Sequence, residues 1–239
     1  MQERSYPVRA LVRNRAKAPT FAAFPTVEVV EGDMMRPETL TEALSGLSAA
    51  DVGTPFVFGS MHAEIERHLE GSGLSWTHLR PSQFMTEYLR EVPTILAQSA
   101  LLLPLEDAKL VPVDVTDIAK AAYRLLTTPG HEMKIYAMSG PEALTMGEVA
   151  DQISLAVGRT VRYVSVSREE RRQALSAAGV PSFLVDAFDV QAGERLKGAE
   201  AVVHLETHTA LGISPTTFAE CARRNAGAFL GESGYVGLK

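Results

Sequence analysis

"SYPVRALVRNRAKA", Ser5–Ala18, is the stretch from which the rest of the chain can be ordered. Val8 to Arg13 alternates apolar and polar residues and is rich in valine, so it reads as a β-strand. The strand runs out into a basic loop carrying Arg13, Arg15 and Lys17. Downstream, "VEVVEGD", Val27–Asp33, reads as a second strand that ends at Gly32. "PETLTEALSG" follows as a short helix, with Pro37 suited to its first turn and Gly46 to its C-terminal cap. Between the two strands, "NRAKAPTFAAFP" allows only a short helix because of Pro19 and Pro25, and the order β, short α, β, α is the rhythm of a parallel α/β sheet.

Farther along, "PFVF" fits a very short strand, and "MHAEIERHLEGSG" a helix with Met61, Ile65 and Leu69 on one stripe. "LSWTHLRP" is a strand that Pro81 stops. "TILAQSALLLPL", Thr94–Leu105, is the longest apolar run and reads as a buried helix or lid. "VDVTDIAKAAYRLLTTPG" carries a helix with Ile118, Ala122, Leu125 and Leu126 on its core face, and "KIYAMSG" is a strand. In "LTMGEVADQISLAVGR", Thr145 and Glu148 predict a capping box, Val149, Ile153 and Val157 the apolar stripe, and Gly158 the stop. "TVRYVSVS" is a strand. Two helices follow, broken at Gly179-Val180-Pro181, and Ser214 with Pro215 predicts the start of a last helix.

The whole composition narrows the function classes. The chain has 239 residues, 46% of them hydrophobic, enough for one sizeable core or a core plus a small lobe. A net charge of -6 offers no basic face for nucleic acid. Cys221 is the only cysteine, which rules out an intrachain disulfide and any CxxC zinc or redox motif. No apolar run approaches the ~20 residues that span a bilayer, and no signal-peptide pattern is visible, so a cytoplasmic protein is the expectation.

Six blocks, in order, carry a family resemblance: "YPVRALVRN", "VEVVEGDMMRPETLTEAL", "HAEIERHLEGSGLSWTHLRPSQFM", "VDVTDIAKAAYRLLTTPGHEMKIYAMSGPEALTMGEVADQIS", "GRTVRYVSVS" and "SPTTFAECARRNAGAF". Together they resemble the NmrA-like family of atypical short-chain dehydrogenase/reductases. The resemblance implies an α/β fold: a truncated, Rossmann-like parallel sheet with a smaller C-terminal α/β lobe, and a substrate cleft between the two. The Rossmann-like part would take residues 1–90, with 106–140 returning to it. The lobe would take 91–105 and 141–239. It implies NADP(H) as cofactor and NAD(P)H-dependent reduction of a small organic substrate. The alternatives are a cofactor-independent isomerase or cyclase using the same cleft, and a non-catalytic redox-sensing regulator. The expected partner is a small-molecule substrate, with no nucleic acid and no membrane; a homo-oligomer is compatible with the sequence.

This sequence departs from the family pattern twice. The family opens with a strand and a GxxGxxG loop, whereas the first glycine here is Gly32. That loop brings the backbone up to the cofactor's pyrophosphate. Between Gly46 and Met61 the family has two further strands and a helix, and a βαβ unit alone takes about 30 residues; only Leu47 to Ser60 stand here. The family's first and fourth strands lie mid-sheet, so the expected loss falls at the centre of the domain.

The candidate site residues follow the matching blocks. By resemblance Arg13 contacts the 2′-phosphate of NADP, which suits a bidentate guanidinium; from the residues alone it is equally part of a solvated basic loop. Asp33 matches an adenine contact, or serves as a strand-end turn residue. His62 stands where the family has a polar residue near the nicotinamide and could donate a proton. Glu66, one turn on, shares its helix face, as an acid–base partner or an ordinary helix pair. Pro81, Gln83, Phe84 and Tyr88 follow a strand at the carboxyl edge, where open α/β sheets bind ligands. No metal site is expected: "HAE" at His62–Glu64 lacks the PCxxC of zinc deaminases, and "HLETH", His204–His208, aligns its ligands only on a strand. "REERR", Arg168–Arg172, reads as a solvated charged face.

Overall fold

The computed structural model describes residues 8–12, 14, 16, 27–31, 57–198 and 200–232. Arg13 and Asp33, the short helix after Pro37, and most of the Leu47–Ser60 stretch lie outside them. The described chain is mixed α/β, with every strand pair parallel. Strand β1 (Val8–Val12) pairs with β2 (Val27–Glu31), as the alternating valines predict. After helix α1 (Val57–Gly71), β3 (Thr77–Pro81) pairs with a later strand, β5 (Lys134–Met138). Among the described strands nothing joins the β1–β2 pair to the β3–β5 pair. The sequence puts the shortened segment between these two pairs.

The second half forms the lobe. A 3-10 turn (Met85–Glu91) leads into α2 (Val92–Gln98) and β4 (Ala100–Leu103). The chain returns through α3 (Val115–Thr127) to β5, then passes to α4 (Met146–Val157) and β6 (Arg162–Ser165), which pairs with β4. Helices α5 (Arg168–Ala177) and α6 (Ser182–Leu196) form a hairpin, and α7 (Glu206–Leu211), α8 (Phe218–Arg224) and α9 (Ala226–Phe229) finish the described chain. The larger apolar core gathers Met85, Tyr88, Ile95, Leu101, Val149, Ile153, Ala192 and Phe218. A smaller one gathers Val113, Ala121, Met138, Leu211 and Ile213.

Several local expectations are met. Thr145 and Glu148 form both arms of a capping box, and Gly158 ends α4 in the left-handed conformation. The α5–α6 break falls at Gly179 to Pro181. Others are corrected. Val57 and Phe58 of "PFVF" open helix α1. The run Thr94–Leu105 is not one helix: Ser99 adopts a left-handed conformation with φ 50, α2 stops, and Ala100–Leu103 becomes a strand. Apolar runs of this length do not distinguish a buried helix from a buried strand. On α3 the inward face carries Asp117 and Ala121, while Leu126 is 66% exposed. The last helix is capped by Thr217, reciprocally with Glu220, and not by Ser214, and it breaks at Asn225.

"REERR" is not simply solvated. Arg168 holds Asp189 through two hydrogen bonds, and Arg172 holds Asp186. Arg171 forks onto Glu91, which is 5% exposed, and ties the α5–α6 hairpin to the 3-10 turn. Helix α5 buries no residue, so ion pairs hold much of its position.

Candidate functional site at the carboxyl edge of the β3–β5 pair

Parallel strands β3 and β5 point their carboxyl ends the same way, which makes that edge a place for a ligand. Three loops converge there. Ser82 N–H donates to Met138 O, Val113 N–H to Gln83 O, and Met85 N–H to Val113 O. Gly140 sits against the Pro112 carbonyl so closely that an added Cβ would lie 2.0 Å from its oxygen. These contacts fix the backbone of the Ser82–Met85 loop.

Of the residues expected to line the substrate cleft, all four lie on or beside this loop. Pro81 ends β3, and Phe84 is 39% exposed, a large apolar side chain facing solvent at the edge. Tyr88 is buried edge-to-face on Phe218, with ring centroids 5.3 Å apart. Its hydroxyl and Gln83 Oε1 are both buried without a hydrogen-bond partner of good geometry, although the carboxamide lies beside the hydroxyl. Burial pushes the Tyr88 pKa well above the ordinary phenol value, so the group remains a protonated donor. In the next loop Glu142 Oε2 is likewise buried and unpartnered.

His62 and Glu66 lie one turn apart on α1, but their surroundings differ. His62 is partly exposed. Glu66 is 2% exposed and receives two hydrogen bonds from Arg80 of β3, Nε to Oε1 at 3.1 Å and Nη2 to Oε2 at 2.6 Å. His78, fully buried and stacked on Trp76 at 4.3 Å, bonds Glu70 through Nε2 at 3.1 Å and holds Nδ1 3.9 Å from Glu66. Glu66, Glu70 and His78 bring three potential metal-ligand atoms within 4.8 Å of one another. The Arg80 guanidinium already occupies both Glu66 oxygens, so a cation there would face it directly.

Part of this arrangement is legible in the sequence. Glu66 falls three residues before Leu69, on the apolar side of α1, where an unpaired carboxylate is costly. Arg80 and His78 share strand parity and face that helix. Others had no local signal. Asp114 caps α3 and takes a hydrogen bond from Arg224. Its burial opposes ionisation, but the Thr116 and Arg224 donors outweigh it and hold its pKa below the usual range. Asp117, 1% exposed, accepts from Thr216 N–H and Lys120 and stands 3.8 Å from the buried His208. His208 lies on α7, away from any strand alignment of "HLETH".

Residues 56–222 match the model of the NmrA-like family. The chain belongs to the NmrA-like family. Residues 1–54 match a model described as NAD(P)H-binding, which bears out the expected cofactor class. The two matches meet between residues 54 and 56, inside the Leu47–Ser60 stretch where the sequence is short. This NmrA-like chain is 32% identical over 270 residues to the NAD(P)H azoreductase of Xenophilus azovorans, covering 96% of this chain and 93% of that protein. It is 28% identical over 214 residues to quinone oxidoreductase 2 of Escherichia coli, covering 74% of each. The crystal structure of an NADPH-dependent quinone oxidoreductase from Escherichia coli superposes with a TM-score of 0.77 at 25% identity, over 92% of this chain and 90% of that one. The negative transcriptional regulator NmrA, in complex with NADP, shares the fold at a TM-score of 0.63 and 16% identity, over 91% of this chain and 86% of that one.

Proposed function

We propose that this NmrA-like protein uses NAD(P)H to reduce a small, planar organic acceptor of the quinone or azo type. The observation that carries the proposal is the pair of buried, unpartnered polar atoms on the substrate loop, Tyr88 Oη and Gln83 Oε1. They belong to the same stretch of chain as the exposed ring of Phe84, in a protein whose first residues match an NAD(P)H-binding model. Orphaned buried polar atoms are costly in a finished core and are expected where a ligand completes the hydrogen bonds. The names of the two curated relatives supply the acceptor class.

In this reading the cleft lies between the Rossmann-like part, 1–90 with 106–140, and the lobe formed by 91–105 and 141–239. Arg13 binds the 2′-phosphate and Asp33 the adenine side. NAD(P)H, when bound, supplies a hydride. Phe84 and Pro81 offer an apolar face to the acceptor ring. Tyr88, kept protonated by burial, donates a hydrogen bond to an acceptor heteroatom, and Gln83 orients it. His62, partly exposed at the start of α1, delivers a proton to the reduced product, directly or through solvent. Glu66 holds Arg80 and so fixes α1 against β3.

The test is calorimetric titration with NADPH and NADH, followed by NADPH oxidation in the presence of a naphthoquinone. Binding in the micromolar range and quinone-dependent oxidation are expected, and Arg13→Gln should weaken NADPH more than NADH. No binding at millimolar cofactor would sink the reductase reading. Turnover of a substrate without any nicotinamide would replace it with the cofactor-independent one.

A further inference from the structure

Where the last turns of α1 meet the start of β3, two carboxylates converge on one imidazole. Glu66 and Glu70 lie one turn apart on the helix, and His78 is the second residue of the strand. Among the described residues these three are the one such group of possible metal ligands, with an atom of each within 4.8 Å of the others. The His78 ring is fully buried and stacks on Trp76, 4.3 Å away at an angle of 16°, which fixes its plane. Nε2 stands 3.1 Å from Glu70 Oε1. Nδ1 stands 3.9 Å from Glu66 Oε1 and is buried without a hydrogen-bond partner.

A neutral imidazole carries one N–H and one bare lone pair. With the proton on Nε2, Glu70 is served and the Nδ1 lone pair faces the Glu66 carboxylate. With the proton on Nδ1, the Nε2 lone pair faces the Glu70 carboxylate. Either tautomer sets a lone pair against an anion on a ring withdrawn from water, which is costly unless a cation is shared there. We propose that His78 Nε2 and Glu70 hold a divalent first-row transition metal, with zinc the simplest case. Imidazole and carboxylate form a donor set that suits such ions. Two ligand atoms about 2.1 Å from one ion lie about 3.0–3.4 Å apart in octahedral to tetrahedral geometry. The 3.1 Å between Nε2 and Oε1 falls in that span. Metal on Nε2 puts the ring proton on Nδ1, where Glu66 accepts it, and a carboxylate behind a ligating histidine is what orients the ring. Arg80 in turn fixes Glu66 through two hydrogen bonds. A metal held by all three side chains would face that guanidinium; one held by His78 and Glu70 has Glu66 and the ring in between. Glu70 is 40% exposed, which leaves a side for the ion to enter and for waters to complete its coordination. The ion pins the end of α1 to β3 on the amino side of the strand, away from the substrate loop, so the proposal does not rest on the reductase reading.

Trp76 is the only tryptophan in the chain and stacks on His78, so its emission reports on this ring. The experiment titrates the full chain with cobalt(II) chloride, without nicotinamide. Cobalt should quench Trp76 along a saturable one-site curve, and excess zinc should reverse the quenching. Zinc at a hundredfold excess over its Kd should raise Tm by about 5–10 °C. Glu70→Gln, a change at a partly exposed position that leaves Glu66 and Arg80 in place, should weaken cobalt at least about tenfold. His78→Gln should abolish the quenching; if that variant does not fold, the Glu70→Gln comparison decides by itself. Emission unmoved by millimolar cobalt would overturn the proposal, and so would equal affinity in Glu70→Gln. A second ring proton, serving both carboxylates at once, would then complete the cluster in place of a metal.

Discussion

Replacing Glu66 by alanine takes from Arg80 the buried carboxylate that both its Nε and its Nη2 hold. The pair is closely made, with two hydrogen bonds at 3.1 and 2.6 Å and a carboxylate only 2% exposed. Breaking a buried pair from one side typically costs about 3–5 kcal/mol, because the remaining charge stays poorly solvated. Arg80 retains 25% exposure, so water can reach part of it. The expected cost is therefore near the lower end, about 3 kcal/mol. For a chain of this size, that corresponds to a Tm fall of roughly 6–12 °C. Thermal and urea unfolding of Glu66→Ala and Glu66→Gln would measure it. Adding Arg80→Ala to Glu66→Ala should cost less than the sum of the two single changes, since both remove one interaction. A loss within about 0.5 kcal/mol, the range of ordinary surface changes, would refute the reasoning. So would a Glu66→Ala protein that keeps its Tm but loses reductase turnover measured well below it. That outcome would make Glu66 an acid–base partner of His62 instead.

Three further outcomes follow from other parts of the molecule. Gly140→Ala should lower the urea midpoint with little change in m, by about 3 kcal/mol, because its Cβ meets the Pro112 backbone at 2.0 Å and not a flexible side chain; a neutral result would mean the loop yields. Glu91→Ala should cost about 2–3 kcal/mol by taking the carboxylate from Arg171 and leaving it only the Leu102 carbonyl, whereas Asp186→Ala, which breaks an exposed pair with Arg172, should cost under about 0.5 kcal/mol; equal losses in denaturant melts would contradict the contrast. His208 is held neutral mainly by burial, against Asp117, and Lys120 adds to the downward shift. The unfolded chain then takes up a proton that the folded chain refuses. Stability should accordingly fall as pH drops below 6.5 and level off once the lowered folded-state pKa is passed. His208→Leu should remove this part of the slope, up to about 1.4 kcal/mol per pH unit, in unfolding melts across that range.

Local chemistry was readable wherever one segment carried its own signal. Thr145, Glu148 and Gly158 specify both ends of α4 without help from the rest of the chain. Gly179 to Pro181 could only interrupt a helix. The failures lie where distant partners decide. Ala100–Leu103 is a strand because Arg162–Ser165 is there to pair with it, and "SALLL" by itself fits a helix equally well. Leu126 was assigned inward by a period that Asp117 and Ala121 in fact follow. Arg171 looked like one charge in a solvated run because Glu91, its partner, is remote in sequence.

The sequence by itself determined the family, the α/β order of elements, the short segment between Gly46 and Met61, and the loop that carries the candidate substrate residues. These depend on residue type and spacing along one stretch of chain. Tertiary structure alone decided that Glu66 answers Arg80, that Arg171 answers Glu91, and that Tyr88 and Gln83 bury polar atoms without a partner of good geometry. Hydrogen-bond satisfaction is a property of what surrounds an atom in space, and those surroundings come from α1, β3, the 3-10 turn and α5, segments that no local pattern relates to one another.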